Sequence, residues 1–425
     1  MKFNTVSDWL DWQTQLHSHA IDLGLDRIRP VYSRLIQNSL ASKTIVVAGT
    51  NGKGSSVAFL EAIYVAGGYQ VGTYTSPHLI SYNERIRLQG EPVSDDLLCK
   101  AFDHVEQARK NDHLTYFEFG TLAAFDLFQE QNLDVVILEI GLGGRLDVVN
   151  LVDADVSLVT NIALDHMDWL GDTREKIALE KFGVSRPEKP LVFVDEDLPE
   201  NARELCIDNK VQLYQLGKNF GYKQQNAVWH WQSENKKYLS LSPPGLSGDH
   251  QIKNAAGVLM VVSLLENALP LSMPHLRLGL TAAILPGRFQ VVPLSNKNGD
   301  NLQIFDVAHN PHSVKAFLEN LQRLPKIGDH LLIFGMLGDK ALADVVDLLK
   351  PNVDLWFLTD IKESRGLSAI ELKKVLMEKR IPETQIFIFD SPMQAYESAR
   401  SKLQNHDKLL ALGSFYVVAD ILSHN

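Results

Sequence analysis

The sequence predicts an α/β protein built from two doubly wound units, the second smaller than the first. Short apolar runs, many of them β-branched, alternate with helical patterns along most of the 425 residues, as in a parallel sheet with connecting helices. These runs are almost continuously apolar, which is typical of strands covered on both faces. A glycine-rich turn at residues 49–55 follows the first run. It predicts a P-loop-type first domain with a mostly parallel sheet, and the later runs predict a Rossmann-like C-terminal domain.

Four apolar runs are the predicted strands of the first domain: residues 43–48, 135–140, 156–160 and 190–194. A helix is predicted over residues 55–66, because its apolar residues recur at helical spacing and Gly67 and Gly68 follow as a stop. The polar stretch 218–244 alternates only weakly and predicts a small antiparallel excursion. Residues 250–268 then return to a helical pattern.

A domain boundary is predicted after Arg288, which gives a first domain at residues 1–288 and a C-terminal α/β domain at residues 289–425. Residues 296–301 predict a loop or hairpin turn. Beyond it the strand and helix rhythm starts again. The predicted strands there are residues 302–305, 331–334, 355–359, 385–389 and 409–412.

The composition excludes several classes of protein. With 41 Lys and Arg against 52 Asp and Glu, the net charge is −11, so a general nucleic-acid binder is not expected. Two cysteines suit a reducing cytoplasm rather than a disulfide framework. We see neither a signal peptide nor a stretch able to span a membrane. A cytoplasmic protein without nucleic-acid or membrane partners is expected.

The glycine-rich turn has the chemistry of a phosphate site. Glycines let backbone N–H groups approach phosphate oxygens, and the N-terminus of the following helix favours negative charge. Lys53 would reach the terminal phosphates, and Ser55 or Ser56 would bind phosphate or lie near a metal ion. Gly54 departs from the usual pattern, which has Ser or Thr after the lysine. A glycine-rich turn without a ligand is the alternative.

A second group of candidate residues follows the next two predicted strands. Glu139 ends one strand and Asp165 and His166 follow another, at the sheet edge where open α/β sheets bind ligands. A carboxylate there is well placed to hold Mg²⁺, although Glu139 in a salt bridge and a structural His166 are the alternatives. A capping box at residues 172–175 predicts the start of a helix. By spacing alone, Lys181 on that helix is an exposed lysine.

Seven segments along the chain together resemble one protein family. The motifs are those of the folylpolyglutamate synthases and of the bifunctional dihydrofolate synthase/folylpolyglutamate synthases, within the Mur ligase superfamily. The resemblance extends from Asp22 to residues 413–415. The segments that carry it are residues 49–55, 75–79, 139–147, 165–166, 180–181, 286–290 and 306–311.

The resemblance implies a reaction, its cofactors and its partners. ATP phosphorylates a carboxylate, the amino group of L-glutamate attacks the acyl phosphate, and an amide remains. It implies Mg²⁺ with ATP as co-substrate, dihydropteroate and reduced folates as acceptors, and a monomer. The first domain would be the ATP-binding, Mur ligase central-type domain and the second a ligase domain. Phosphoryl transfer requires mainly positioning and charge neutralisation, which suits these residues better than a Ser/His/Asp triad.

The resemblance also implies a role for each matching residue. The implied ATP contacts are Thr50, Asn51, Gly52, Lys53, Gly54, Ser55, Asn254, Arg288 and Asp306. The implied metal ligands are Ser76, Glu139 and His166. The implied acceptor contacts are Asp22, Leu23, Gly24, Leu25, Thr115, Leu146, Asp147 and Val148. The implied catalytic residues are Lys53, Lys181 and His309.

Lys181 would be carbamylated, and its carbamate would support a second Mg²⁺ or orient the first. Phe182, which follows it, stands where the family usually has a small residue. For two residues a structural role stays open. The implied nucleotide contact Arg288 would also fit a domain interface, and Asn310 before Pro311 is a good helix cap.

Two other functions stay open from the sequence. A Mur-type ligase acting on cell-wall precursors would share most of the motifs, although the segment around Asp22 favours folates. A nucleotide-binding switch would use the phosphate loop alone. Neither the breadth of acceptors nor the length of a polyglutamate product follows from the motifs.

Overall fold

The computed structural model describes residues 1–16, 21–296, 299–325, 327–363 and 365–424. The chain forms two units by its internal contacts. The first unit comprises Met1–Gly245 and Gln251–Ile284, and the second comprises Leu246–His250 and Leu285–Asn425. In the described part of the chain, no helix is both long and apolar enough to cross a bilayer.

An eight-stranded sheet organises the first unit. Its strands are β1 (Lys43–Ala48), β2 (Val71–Tyr74), β3 (Ile86–Leu88), β4 (Glu91–Pro92), β5 (Val135–Glu139), β6 (Val156–Val159), β7 (Pro190–Phe193) and β8 (Gln212–Gln215). The spatial order is β4-β3-β2-β5-β1-β6-β7-β8. The strands from β2 to β8 in that order pair in parallel, and β3 and β4 add an antiparallel edge. The predicted mostly parallel sheet is confirmed.

The helices of the first unit cover this sheet and extend beyond it. They are α1 (Val6–Gln13), α2 (Arg29–Leu35), α3 (Lys53–Ala66), α4 (Asp95–Arg109), α5 (Tyr116–Gln129), α6 (Met167–Leu170), α7 (Arg174–Phe182), α8 (Glu200–Asp208), α9 (Asp249–Leu265) and α10 (Met273–Ala282). The first two residues of α9, Asp249 and His250, belong to the second unit. Short 3₁₀ helices occupy Tyr82–Arg85 and Val148–Leu151. The core beneath them contains large side chains with no exposure, among them Trp9, Phe102 and Phe119.

Gly257 has a packing reason inside α9. A glycine in a helix interior costs about 1 kcal/mol relative to alanine. A Cβ at this position would lie 2.3 Å from Cγ2 of Val194, directly after β7. The missing side chain therefore lets α9 pack closely against the sheet.

A separate three-stranded antiparallel sheet follows β8, with strands β9 (Phe220–Gln225), β10 (Val228–Ser233) and β11 (Lys237–Leu241). Trp229 and Trp231 of β10 are buried. The indole N–H of Trp231 donates to the carbonyl of Ala256 in α9 at 2.9 Å. A tryptophan that is buried in this way both fills space and satisfies its polar atom, so it anchors the small sheet to α9.

The second unit is built on a six-stranded sheet. Its strands are β12 (Gln290–Asn296), β13 (Gly299–Phe305), β14 (His330–Phe334), β15 (Leu355–Thr359), β16 (Ile386–Phe389) and β17 (Lys408–Leu412). The spatial order is β12-β13-β17-β14-β15-β16, parallel except for β12 at one edge. Its helices are α11 (Pro311–Leu321), α12 (Leu342–Leu349), α13 (Ala369–Glu378), α14 (Pro392–Lys402) and α15 (Phe415–Ser423), with 3₁₀ helices at Lys350–Asn352 and Glu383–Gln385.

The hairpin alternative predicted for residues 296–301 agrees with the structure, in which this segment joins the antiparallel strands β12 and β13. Asn296 pairs with Gly299 at the end of the antiparallel β12–β13 ladder. Residues 297 and 298 between them lie outside the described residues.

The order of strands in the first unit places one loop at a topological switch point. From β1 the chain first builds β2 and β5 on one side of β1, and then β6, β7 and β8 on the other. In open α/β sheets, ligands bind beyond the carboxyl end of the strand where this reversal occurs. In this chain that position is the glycine-rich turn after Ala48.

Candidate active site

Two glycines give the phosphate loop its shape. Gly49 has φ +141° and Gly52 has φ +86°, and L side chains rarely adopt either conformation. A Cβ on Gly49 would lie 1.8 Å from Oγ1 of Thr160, and one on Gly52 would lie 2.8 Å from Oδ1 of Asn254. The loop therefore packs directly against the end of β6 and against α9.

Hydrogen bonds from the segment after β6 hold the loop in place. The N–H of Asn51 donates to Oδ1 of Asn161 at 2.9 Å. The Thr50 hydroxyl donates to the carbonyl of Ala163 at 3.1 Å and accepts its N–H at 3.0 Å. The Thr160 hydroxyl donates to the carbonyl of Asn51 at 2.7 Å. Thr160, Asn161 and Ala163 were not among the candidates from the sequence. Their position after β6, the strand next to β1, was the signal that could have identified them.

Ser55 faces α9 within the protein. Its hydroxyl, only 3% exposed, accepts from Nε2 of Gln251 at 3.1 Å. The Asn254 amide donates to Oε1 of Gln251 at 3.1 Å. This buried network joins the start of α3 to α9, and it places the implied adenine contact, Asn254, directly behind the phosphate loop.

Lys53 lies over the phosphate loop at the start of α3. Its ammonium donates to the carbonyl of Gly49 at 3.0 Å and to that of Thr50 at 3.3 Å. It lines a small pocket to which three other segments of the chain also contribute residues. The lining residues are Gly49, Thr50, Lys53, Ile140, Gly141, Leu142, Gly143, Asp165, His166, Leu170 and Lys181. The structure thus brings together most of the residues that the sequence placed at successive strand ends.

Glu139 and Ser76 are neighbours beside this pocket. Glu139 is the last residue of β5, is 5% exposed and lies in register with Val47 of β1. Its carboxylate accepts the N–H of Ser76 at 3.2 Å. His166 has a left-handed backbone with φ +52°, and its N–H donates to Oδ1 of Asp165 at 2.9 Å. These carboxylate, hydroxyl and imidazole groups are donors that fit a hard divalent cation.

The loop that carries Ser76 is organised by Glu84. Its carboxylate accepts the N–H groups of Leu79, Ile80 and Ser81 at 2.8, 2.9 and 2.6 Å. In the same loop Nε of Arg85 donates to Nδ1 of His78 at 2.8 Å. Burial and the Arg85 charge lower the pKa of His78 to about 4, so its imidazole is neutral near pH 7 and accepts this hydrogen bond.

Lys181 is buried, so the interpretation from spacing alone, an exposed helix lysine, is wrong. The residue is 4% exposed and lines the pocket. Burial and the nearby Lys53 charge lower its pKa to about 7, against the opposing effect of Asp165 and Glu180. A Cβ on Gly144 would lie 2.7 Å from the Glu180 carbonyl, so glycine at this position lets the loop after β5 cover this end of α7.

The start of α7 corrects a second detail. The Thr173 side chain accepts from the N–H of Lys176 and caps the helix. The predicted capping box is wrong, because the third helical position holds Lys176, which cannot accept the reciprocal bond, and Glu175 is at the second position. Phe182 is buried and packs edge-to-face on Phe193, with 5.4 Å between ring centroids.

Asp147 organises the segment that was implied to bind the acceptor. One carboxylate oxygen accepts the N–H of Leu142 and the other that of Val149, each at 2.9 Å. Burial raises its pKa to about 6, although these backbone hydrogen bonds oppose the shift. Leu146 is half-buried and Val148 is buried beside it. Asp147 therefore shapes both the glycine loop and the short helix Val148–Leu151.

The other implied acceptor residues form a second linked group. Thr115 caps α5 in a capping box with Glu118. Arg27 donates to both carboxylate oxygens of Glu118 at 2.8 Å and pairs with Asp22 at 3.0 Å. Leu23, Gly24 and Leu25 lie between these charges and are half-buried. Glu118 was not among the implied acceptor residues, although its position three residues after Thr115 signals the capping box that the structure shows.

In the second unit, Asp306 follows β13 and is fully engaged with backbone. Its oxygens accept the N–H groups of Phe289 and Ala308, both at 2.8 Å. Burial raises the pKa of this carboxyl, opposed by Arg288 and by these hydrogen bonds. The Arg288 guanidinium carbon lies 5.3 Å from the Phe415 ring centroid. The His309 ring lies 6.3 Å from the same ring, so the structure brings these three implied residues together.

Asn310 has the structural role that the sequence left open. Its side chain accepts the N–H of Ser313 at 2.9 Å and caps α11, with Pro311 at the first turn. Arg365, a further surface arginine of this unit, pairs with Asp339 at 2.9 Å and is exposed. It therefore has an ordinary surface ion pair.

Comparison with known proteins agrees with this geometry. A family model for the Mur ligase middle domain matches residues 47–262, and one for the Mur ligase glutamate ligase domain matches residues 287–415. The fold and the site are thus those of a Mur ligase. The chain is 40% identical over 417 residues to the dihydrofolate synthase/folylpolyglutamate synthase of Escherichia coli K12, across 98% of this chain and 94% of that protein. It belongs to the dihydrofolate synthase/folylpolyglutamate synthase family, which confirms the resemblance predicted from the motifs.

Solved structures give the same result. E. coli FolC in complex with DHPP and ADP has a TM-score of 0.91 at 40% identity, covering 99% of this chain and 97% of that one. A bifunctional folylpolyglutamate synthase/dihydrofolate synthase with Mn, AMPPNP and L-glutamate bound has a TM-score of 0.90 at 40% identity, covering 99% of this chain and 98% of that one. The predicted fold class is confirmed.

Proposed function

We propose that this chain joins L-glutamate to dihydropteroate, giving dihydrofolate, and to reduced folates, giving folylpolyglutamates, with ATP as the phosphoryl donor. One observation carries the proposal: the pocket in which the phosphate loop meets Gly141, His166 and Lys181. The ligands named for the related structures, DHPP, ADP, AMPPNP, Mn and L-glutamate, are those that such a reaction requires.

The reaction divides into two steps. An oxygen of the acceptor carboxylate attacks the γ-phosphorus of ATP, ADP leaves, and an acyl phosphate forms. The amine of L-glutamate then attacks the acyl carbon, phosphate leaves with the bonding electrons, and the amine loses a proton to leave an amide. Lys53 and the N–H groups of the loop neutralise and orient the phosphates in the first step. Acyl phosphates react with water, so the recessed pocket also protects the intermediate.

The donor set beside this pocket fits Mg²⁺. Ser76, Glu139 and His166 would hold it through a hydroxyl, a carboxylate and an imidazole. When bound, the ion supplies charge neutralisation on the transferred phosphate. In support of this proposal, Glu139 ends β5 and His166 lies in the turn after β6, at the sheet edge where open α/β sheets bind ligands.

Lys181 is proposed to be carbamylated. Carbamate formation needs a neutral amine, and the pKa of about 7 makes that form accessible near physiological pH. The product has a negative charge, which would compensate Lys53 in this pocket and support a second Mg²⁺ or orient the first. Asp165 would then face an anion, which favours metal binding between the two groups.

The nucleotide and acceptor contacts complete the proposal. Asn254 lies behind the loop and would contact adenine. In the second unit Arg288 would contact the nucleotide, Asp306 the ribose, and His309 the phosphates or the reacting carboxylate. The acceptor would lie along the segments organised by Asp147 and by the Arg27–Glu118 pair.

We also propose a monomer in the cytoplasm. Cys99 and Cys206 are both buried free thiols, as in proteins of a reducing compartment. Sedimentation of the purified chain tests the first part, and fractionation of its host cell tests the second.

An acceptor assay tests the function. The enzyme with ATP, Mg²⁺, L-glutamate and dihydropteroate is expected to release phosphate and form dihydrofolate, and reduced folates are expected to gain glutamate. Turnover only with nucleotide-linked cell-wall precursors would favour that class of Mur ligase. Nucleotide hydrolysis that is independent of any acceptor would favour a switch, and either result would refute the proposal.

A further inference from the structure

Arg85 is a buried cation in the loop between β2 and β3. It is 8% exposed and ends the 3₁₀ helix Tyr82–Arg85. Its Nε donates to Nδ1 of His78 at 2.8 Å. Its guanidinium carbon lies 5.0 Å from the ring centroid of Tyr82 and 5.7 Å from that of Tyr116. The guanidinium therefore lies against one imidazole and two aromatic rings.

The charge of Arg85 has no carboxylate partner among the described residues, and neither of its Nη groups donates a hydrogen bond to them. The neighbouring Glu84 is occupied by backbone N–H groups. A buried charge is costly unless a group of opposite charge or a hydrogen-bonding partner pairs with it. The two Nη groups form the side of the guanidinium that matches a carboxylate in a bidentate pair.

We propose that Arg85 is the binding group for the carboxylate of the acceptor substrate, the group that is phosphorylated. The inference rests on the proposed function and adds a residue to its acceptor site. No role for Arg85 follows from the motif series.

Two contacts place Arg85 between the implied metal and acceptor segments. Its carbonyl accepts the N–H of Thr75 at 2.9 Å, next to Ser76. Its guanidinium faces Tyr116, the residue after Thr115. An anion held there would lie between the loop of Ser76 and the start of α5.

The surroundings favour an aromatic acid over L-glutamate. Tyr82 and Tyr116 pack edge-to-face, with 5.6 Å between their centroids. Phe117 lies against Gly141, where a Cβ would be 2.4 Å from the ring. Aromatic side chains around a buried cation suit a flat aryl carboxylate. L-glutamate carries an ammonium group, which the positive charge of Arg85 would repel.

The test compares two ligands that differ only in this charge. Dihydropteroate and its carboxamide counterpart are titrated calorimetrically into the wild type, Arg85→Gln and Arg85→Lys. The wild type is expected to prefer the carboxylate by at least about tenfold, the effect of one charged hydrogen-bonded pair. Arg85→Gln should lose this preference through weaker carboxylate binding, with carboxamide binding unchanged. Arg85→Lys keeps the positive charge but lacks the paired N–H donors of the guanidinium, so it should retain part of the preference for the carboxylate.

Arg87→Gln is the matched control. Arg87 lies on β3 two residues away and pairs with Glu61 at 3.4 Å, so its loss should leave the preference at the wild-type value. Steady-state assays then separate the substrates: Arg85→Gln should raise KM for dihydropteroate and leave KM for ATP and for L-glutamate unchanged. Arg85→Lys serves alone if the Gln variant does not fold.

Each other outcome overturns the inference. If the Arg85→Gln variant still prefers the carboxylate over the carboxamide, another group binds the carboxylate. If the variant binds both ligands equally more weakly, Arg85 has a packing role. A change confined to KM for L-glutamate assigns Arg85 to that substrate. A wild type that binds neither pterin refutes the proposed function as well, whereas normal wild-type binding with an unaffected Arg85→Gln refutes the Arg85 assignment alone.

Discussion

Arg27 and Glu118 form a bidentate ion pair, with two hydrogen bonds of 2.8 Å between the guanidinium and the two carboxylate oxygens. One of these oxygens also accepts the N–H of Thr115 at 2.7 Å. The same carboxylate therefore closes the capping box of α5 and holds the segment that begins at Asp22. This pair joins two stretches that are remote in sequence, both of which the family resemblance implies in acceptor binding.

Breaking this pair should weaken acceptor binding more than ATP binding. Arg27→Met leaves the 5% exposed Glu118 side chain without its cation, so we expect a loss of about 1–3 kcal/mol in unfolding free energy. KM for dihydropteroate should rise while KM for ATP stays constant. Denaturant unfolding and steady-state kinetics measure the two effects.

Arg34→Met is the control for this prediction, because Arg34 pairs with Asp112 at a more exposed site and should change stability by less than about 1 kcal/mol. Equal effects of the two substitutions would show that Arg27 has no special role.

Lys53→Ala should abolish turnover and leave the fold intact. The ammonium donates to the carbonyls of Gly49 and Thr50, whereas its proposed role is to neutralise phosphate charge. We expect a fall in kcat of at least about a hundredfold, measured by phosphate release, with an unchanged circular dichroism spectrum. Lys176→Ala removes an exposed lysine paired with Asp172 and should be nearly neutral. Normal activity in Lys53→Ala would mean that the phosphates bind elsewhere.

Lys181 should take up CO₂. Its amine becomes increasingly neutral as the pH rises through its lowered pKa of about 7, so carbamate should increase from pH 6 to 8 at constant dissolved CO₂. Carbon-13 NMR with labelled bicarbonate detects the adduct, and mass measurement would lose it. Lys181→Ala should be inactive and partly rescued by short carboxylic acids. Full activity without CO₂ would contradict the modification.

Gly52 and Gly68 form a matched pair of left-handed glycines. Their φ angles are +86° and +81°, but a Cβ would contact Asn254 at Gly52 and nothing within 4 Å at Gly68. Both alanine variants should lose about 1–2 kcal/mol from backbone strain. Only Gly52→Ala should also displace Asn254 and weaken ATP binding, by at least about tenfold. Nucleotide titration and thermal unfolding separate the two effects, and equal ATP affinity in both variants would refute the contact.

His250 should make the second unit sensitive to acid. Burial lowers its pKa to about 4, with further lowering by His312, Arg288 and Arg323 and opposition from Asp249. In the unfolded chain His250 binds a proton as the pH falls below about 6.5, whereas in the folded unit it binds one only near pH 4. The free energy of unfolding therefore falls as the pH falls through this window. The slope is at most about 1.4 kcal/mol per pH unit for one proton.

His250→Gln should flatten this slope, measured by hydrogen exchange of peptides from the second unit. His406→Gln changes an exposed histidine of the same unit and should leave the slope unaltered. If both variants behaved alike, the acid sensitivity would come from other groups.

Local patterns in the sequence determined the fold class, the phosphate loop and the candidates at the strand ends, whereas the family resemblance implied the other candidate residues. The strands over Lys43–Ala48 and Leu355–Thr359 are as predicted, because buried parallel strands require continuous apolar runs. The glycine turn and Glu139 were found since ligand groups in such sheets follow strand ends. The helix cap at Asn310 could also be predicted, because capping depends only on residues that are neighbours in the sequence.

Only the tertiary structure decided which of these side chains are buried and what they contact. Lys181 looks exposed in its helix, and its burial depends on Gly144, which lets a distant loop cover α7. Arg27 and Glu118 are 91 residues apart, and no local period relates them. Burial, pKa and long-range ion pairs depend on how elements pack against one another, and a pattern of neighbouring residues contains no information on that packing.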